Sequence, residues 1–175
     1  VSLFHYYDKR LGPFRNLSSL PMEQAEEVQR QLVREGKGFA SRRSADYLTI
    51  RRELEAAARE IFIAKGGKPQ QLYPHYMTLG ACGWIEEWFE EGGLLQIPLD
   101  EFEVDSVSFT YGDLFPTMRF NDDRAYRKQV YTRLEIENII EQYGLPQQWN
   151  ADGAFGPERY IEVQVWDEHV IGSYK

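Results

Sequence analysis

One cysteine in 175 residues leaves no partner for an internal disulfide. Three histidines and that cysteine, with no Cys-x-x-Cys, no His-x-x-x-His and no calcium-loop spacing, give no metal-ligand pattern, and no metal site is expected. No apolar run approaches the ~20 residues that cross a bilayer, so no membrane partner is expected. Neither Gly66-Gly67 nor Gly92-Gly93 has the spacing of a Walker or dinucleotide phosphate loop. No positively charged apolar leader precedes the strand-like run Leu3 to Tyr7, which makes a reducing cytoplasm the expected address. Basic surplus is missing too. With 20 Lys and Arg against 28 Asp and Glu the net charge is −8, and a DNA or RNA binder, which needs a broad basic face for counterion release, is not expected.

What is present is aromatic and unevenly charged. Eleven Tyr, ten Phe and four Trp supply walls with apolar bodies and polar tips. A chain of this length buries roughly 70% of its unfolded surface, enough for one core, and nothing resembling a linker or repeat divides residues 1–175. Between Arg30 and Arg52 the chain turns basic: Arg30, Arg34, Lys37, Arg42, Arg43, Arg51 and Arg52 face only Glu35 and Asp46. From Glu86 to Asp105, eight acidic residues occur without a Lys or Arg. Such segregation marks either an anion-docking region or two surfaces that pair with each other.

Periodicity sets out the elements. Leu3 to Tyr7, His75 to Leu79, Leu94 to Leu99, Val104 to Tyr111 and the run around Ile161, Val163 and Val165 read as strands. In the fourth, Val107, Phe109 and Tyr111 share one face and Ser106, Ser108 and Thr110 the other, which implies a strand with one polar side. Pro21 starts a helix in which Met22, Ala25, Val28, Leu32 and Val33 recur until Gly36. The next helix puts Tyr47, Ile50, Leu54, Ala57, Ala58 and Ile61 on one face, with Arg51, Arg52, Glu55 and Arg59 on the other, and Ser44 as a candidate cap. Trp84, Ile85, Trp88 and Phe89 repeat as a short helix with an acidic outer side formed by Glu86, Glu87, Glu90 and Glu91. Asn121-Asp122-Asp123 predicts a hairpin between Thr117–Phe120 and Tyr126–Val130. Thr132 and Glu135 form a capping-box pattern before a helix that Gly144 and Pro146 close. Strands and helices in no regular alternation predict an α+β fold: a single domain with one mixed or mostly antiparallel sheet and about four helices.

Among candidate site residues, His5 is either a general base or a hydrogen-bonded core histidine. Cys82 precedes a short helix but, as a lone cytoplasmic cysteine, is expected to be a buried hydrophobe. Arg42 and Arg43 sit just before a helix start, where guanidinium forks and backbone N–H groups converge on phosphate or carboxylate. Asp113, in the turn Tyr111-Gly112-Asp113 beyond the polar-faced strand, is placed to bind a ligand, act with His5 in hydrolysis, or close the turn. A single cleft holding several of His5, Arg15, Arg42, Tyr47, Tyr111 and Glu158 is the arrangement these residues suggest.

The layout also resembles the ADP-ribosyltransferase-like fold. Leu3-Phe4-His5-Tyr6 is similar to its first-strand histidine motif, Gly38-Phe39-Ala40-Ser41 followed by Tyr47 to its second, and Glu158-Arg159-Tyr160-Ile161-Glu162-Val163 to its third. The resemblance implies that His5 holds an NAD ribose, Tyr47 flanks the nicotinamide, Glu158 or Glu162 stabilises an oxocarbenium-like transition state, and Arg42 or Arg43 meets the pyrophosphate. The chain also resembles small bacterial proteins of unassigned function. The leading expectation is a non-enzymatic module that binds a partner protein or a small anionic ligand and needs no cofactor. The alternative is an NAD-using ADP-ribosyltransferase-like enzyme with NAD as cofactor.

Overall fold

A computed structural model describes residues 1–36 and 42–175. Five strands, β1 (Ser2–Asp8), β2 (His75–Leu79), β3 (Gly92–Pro98), β4 (Val107–Tyr111) and β5 (Ile161–Val165), form one open sheet in the order β3-β1-β2-β5-β4. Every neighbouring pair is antiparallel. Around it lie α1 (Met22–Glu35), α2 (Tyr47–Ala64), the short α3 (Gly83–Glu86) and α4 (Leu114–Arg119), then α5 (Arg133–Tyr143), α6 (Pro146–Trp149) and α7 (Glu168–Ile171). The fold is α+β, as expected. No helix among the described residues is long and apolar enough to cross a membrane.

Register gives the sheet two different faces. Leu3 lies opposite Leu79 and Ile97, and Val165 opposite His75 and Val107, so alternation carries Leu3, Met77, Val163 and Phe109 to the same side. Helix α5 adds Ile136, Ile139, Ile140 and Tyr143 to that apolar core. Its start is the predicted capping box: Thr132 Oγ1 accepts from the Glu135 N–H and Glu135 returns a bond to the Thr132 N–H. Fully burying side chains such as Phe109 and Ile161 contributes about 1.5–3 kcal/mol each, so this face supplies most of the stabilisation.

The opposite face is polar yet also buried. The Trp166 indole N–H donates to Ser108 Oγ, Ser108 Oγ donates to Gln164 Oε1, and Gln164 Nε2 donates to Thr110 Oγ1. Each polar group finds its partner within the sheet, which is the condition for burying it cheaply. Across this face lies α2, and here the sequence reading is corrected. The buried stripe is Leu48, Arg51, Glu55, Ala58 and Phe62, so of the expected apolar face Ala58 is fully buried, Leu54 and Ile61 pack partly buried beside it, and the charged Arg51 and Glu55 turn inward. Glu55 is 0% exposed. Its Oε1 accepts from Arg51 Nε at 2.9 Å, Tyr76 OH at 2.7 Å and Ser18 Oγ at 3.1 Å. Arg51 also donates to Asn16 Oδ1, and Asn16 Nδ2 donates to the Pro74 carbonyl. A polar sheet face selects the polar helix face, because burying either against hydrocarbon would strand its donors and acceptors.

The hairpin expected around Asn121 to Asp123 is also corrected. Asp113 accepts from the Phe115 N–H and starts α4, which takes up Thr117 to Arg119, and Tyr131 meets the sheet only through one bridge to Phe109. Pro116 sits in the first turn of α4, where its missing N–H costs nothing. Ser44 bonds Asp46 rather than the helix backbone, and α2 begins at Tyr47.

Glu55→Ala leaves Arg51 as a buried charge without its carboxylate, and urea denaturation is expected to show a loss of about 3 kcal/mol. Replacing both members, Arg51→Met with Glu55→Leu, is expected to recover much of that loss.

Candidate functional site

Along β5 and the residue before it, alternation directs Tyr160, Glu162 and Gln164 to the polar face. Glu162 lies opposite Thr78 on β2 and Thr110 on β4, in the interior of the sheet. Where β4 ends, Gly112 adopts φ +105°, and the chain turns into α4 with Asp113 as its cap. A side chain at Gly112 would press on Glu158 Cγ at 3.3 Å. This turn brings Asp113 to Glu162. Tyr160 OH stands 3.2 Å from Asp113 Oδ2 and 3.3 Å from Glu162 Oε2. The other Glu162 oxygen accepts from Gln164 Nε2 and the Leu114 N–H.

These groups border a cavity of about 840 Å³ between α1, α2, α3 and the polar face. Its cationic side carries Arg15, Arg42, Arg43 and Arg51. Arg43 stacks on the Tyr47 ring, with its guanidinium carbon 4.2 Å from the ring centre, and Tyr47 stacks on Phe115 at 5.1 Å. Arg43 donates a long bond of 3.4 Å to Gln29 Oε1, whereas Arg51 is paired with Glu55 at 2.9 Å. The far wall is aromatic: Phe4, Trp84, Trp88 and Phe89, with Trp84 and Trp88 edge to face at 4.9 Å.

Electrostatics follow burial. Burial pushes the Glu162 carboxyl well above the usual carboxylate range, and the negative charge of Asp113 pushes it further. Asp113 is raised by burial as well, but the Phe115 N–H and the Tyr160 hydroxyl, and after them the charges of Arg43 and Arg51, pull it back. Tyr160 is held far above the ordinary phenol range by burial and by both acids. Burial lowers Arg43, which remains charged because a guanidinium does not deprotonate in proteins.

The residues anticipated from sequence divide into those the cavity gathers and those it does not. Arg15, Arg42, Arg43, Tyr47 and Asp113 line it. His5 borders it through β1, but alternation turns the imidazole to the Leu3 side, away from Tyr76 and Glu162. There the ring stacks on Phe14 at 3.9 Å, its Nε2 accepts from the Phe14 N–H, and its Nδ1 donates to the Tyr76 carbonyl. Burial lowers its pKa to about 4, so the ring is neutral and its nitrogens are committed to the backbone. Tyr111, expected as a ligand residue, points into the apolar core, where it donates to the Gly144 carbonyl and accepts from Trp149. Glu158 precedes β5 and is fully buried in an ion pair with Arg127, away from the cavity lining. Thus His5, Tyr47 and Glu158 do not converge, while Glu162, the second acid of the same motif, does face the cavity. Gly38 to Ser41 lie outside the described residues.

Cys82 is buried, and burial raises its thiol pKa, the opposite of an activated nucleophile. Among the described residues no group of three or more His, Cys, Asp or Glu is arranged to hold a metal ion. The basic and acidic stretches bond elsewhere: Arg30 and Arg34 pair with Glu27, Arg51 with Glu55, Asp100 with Arg133 and Asp105 with Lys68. Tyr160 and Tyr76 escaped sequence reasoning, although the signal existed. Polar residues at every second position in two neighbouring strands mark an interior polar wall once both sheet faces are covered. Comparison with family models, with curated proteins and with solved structures found no match.

Two titrations test this geometry. By NMR, the His5 ring is expected to stay neutral until pH falls to about 4. For Glu162 the folded pKa lies above the unfolded one, so its stabilising contribution is full below the ordinary glutamate range and is lost as pH climbs through the raised value. Glu162→Gln removes that loss, and its urea-measured stability is expected to fall less than the wild type's as pH rises above the ordinary glutamate range.

Proposed function

We propose that the protein binds a small anionic ligand with a flat or aromatic body in the cavity between α1, α2, α3 and the polar sheet face. The observation that carries this reading is Arg43: a half-buried guanidinium in the cavity wall, 4.2 Å over the Tyr47 ring, whose side-chain acceptor among the described residues is a neutral amide at 3.4 Å. A half-buried cation in that setting gains most from an anion that brings its own carboxylate or phosphate oxygens. Arg42 and Arg15, both exposed, border the same space and add to its positive charge beside the acids Asp8, Glu35, Glu90 and Asp152. The stacked pair Tyr47 and Phe115 on one side and the indoles of Trp84 and Trp88 on the other suit a planar body.

A concave site of about 840 Å³ falls in the range that small molecules fill, which favours a small ligand over a protein partner at this place. The NAD-based reading draws support from Tyr47, Arg43 and Glu162 sharing the cavity, and loses support at His5 and Glu158. Its direct test is nicotinamide release from NAD.

Calorimetry with inorganic phosphate, benzoate, phenylphosphate and phenylpyruvate distinguishes the terms. The aromatic anions are expected to bind more tightly than phosphate, and Arg43→Ala to weaken them by about tenfold or more. Arg43→Lys, which keeps the charge but loses the stacked fork, is expected to restore only part of the affinity. Binding indifferent to both Arg43 variants would contradict the reading.

A further inference from the structure

One phenol hydroxyl stands between two carboxyl oxygens. It carries one proton and can donate to Asp113 Oδ2 at 3.2 Å or to Glu162 Oε2 at 3.3 Å, but not to both. The second contact is a hydrogen bond only if one acid donates to the phenol oxygen. One proton shared by the pair would satisfy both contacts. Its position follows from the neighbours. Arg43 and Arg51 act on Asp113, while Glu162 sits deeper, 6% exposed, with neutral donors from Gln164 and Leu114. Glu162 is the acid, Asp113 the carboxylate, and the chain runs from the Glu162 O–H to the Tyr160 oxygen and from the Tyr160 O–H to Asp113. Both acids border the cavity that holds Arg43.

We propose that Asp113, Tyr160 and Glu162 are the acid–base groups of a keto–enol proton transfer on a small carboxylate whose carbonyl lies beside an acidic C–H. This rests on the anion-binding reading and adds an activity to it. The step balances within the site. The Asp113 carboxylate takes the proton from carbon, the C–H electron pair becomes the C=C bond, and the carbonyl π pair moves to oxygen. Glu162 gives that oxygen its proton, so the substrate has changed tautomer and the pair again holds one proton, now on Asp113. Tyr160 resets the site by accepting from Asp113 while donating to Glu162. Arg43, on the carboxylate next to the carbonyl, offsets the charge that builds on the enolate.

Other charged or titratable groups facing this set are Arg43 and Arg51 from the α2 side, Tyr76 from β2, and Cys82 beside Tyr160. Among the described residues, Asp113 and Glu162 are the two carboxyl groups within bonding distance of Tyr160 OH.

Phenylpyruvate is the probe, with a carboxylate for Arg43, a ring for the aromatic wall and an enolisable carbon. Its binding is measured by calorimetry and, on the same samples in D2O, its exchange of C3 hydrogen for deuterium by NMR. The wild type is expected to accelerate exchange over buffer, with a bell-shaped pH dependence set by the pair as a unit. Asp113→Asn and Glu162→Gln are each expected to slow exchange by about 10²–10⁴-fold while retaining binding, and Glu162→Gln to flatten the alkaline limb of the profile. Because Asp113 also caps α4, Tyr160→Phe provides a variant that keeps both acids, and it is expected to bind the probe but turn it over slowly. Binding without exchange overturns this proposal and leaves the anion site standing. Exchange that survives both acid substitutions overturns it as well. Failure of phenylpyruvate to bind, while other aromatic anions bind in an Arg43-dependent way, overturns the substrate class.

Discussion

Helix α2 lies on the sheet through a buried ion pair, and the polar half of the molecule is arranged around that constraint. Arg51 and Glu55 are four residues apart on a helix, a spacing that brings the two charges together before any tertiary contact forms. In the fold, Tyr76, Ser18 and Asn16 complete their hydrogen bonds, joining α2, β2 and the segment before α1. Burial acts to lower the Arg51 pKa, and the surrounding Tyr47, Tyr76 and Glu55 more than reverse it. A pair of this kind adds little net stability over well-packed hydrocarbon, but it penalises any other seating of the helix, since each charge would then be buried alone.

That seating divides the polar sheet face in two. Toward the C-terminal end of α2, Ala58 and Phe62 close over Trp166 and Leu114, and the space is filled. Toward its start, Tyr47 and Arg51 line the cavity, with the Arg51 guanidinium over the Tyr76 ring of β2. The same polar row that is satisfied within the sheet at Gln164 and Ser108 meets open space at Glu162 and Tyr160. Buried acids at the edge of a cavity, with guanidinium groups opposite, are a combination in which proton affinity and ligand charge are coupled.

Much of the fold was readable in the chain. β2 matches the alternating run His75 to Leu79, the capping box at Thr132 and Glu135 starts α5, and Gly36 takes the left-handed conformation that ends α1. Each of these rests on local chemistry with a single low-energy solution. Where two local solutions compete, reading was less secure. Asp113 is both a turn residue and a helix cap, and its bond to the Phe115 N–H committed the next residues to α4 rather than to a strand. Arg42, Arg43, Tyr47 and Asp113, singled out by charge and position, all line the cavity. Tyr111 and Glu158 were misplaced because the direction of a side chain depends on which sheet face its neighbours cover.

By itself the sequence determined the α+β class, the approximate positions of the five sheet strands though not the absence of a hairpin around Asn121, the ends of several helices and the reserve of arginines near the start of α2. Those properties follow from periodicities of two and 3.6 residues and from capping groups, all of which act over a few positions. Tertiary structure alone decided that the charged stripe of α2 faces inward, that β5 lies between β2 and β4, and that Asp113 meets Glu162 across a tyrosine. Pairing of strands far apart in sequence settles such matters, because a carboxylate's role depends on the dielectric and the partners that distant segments bring to it.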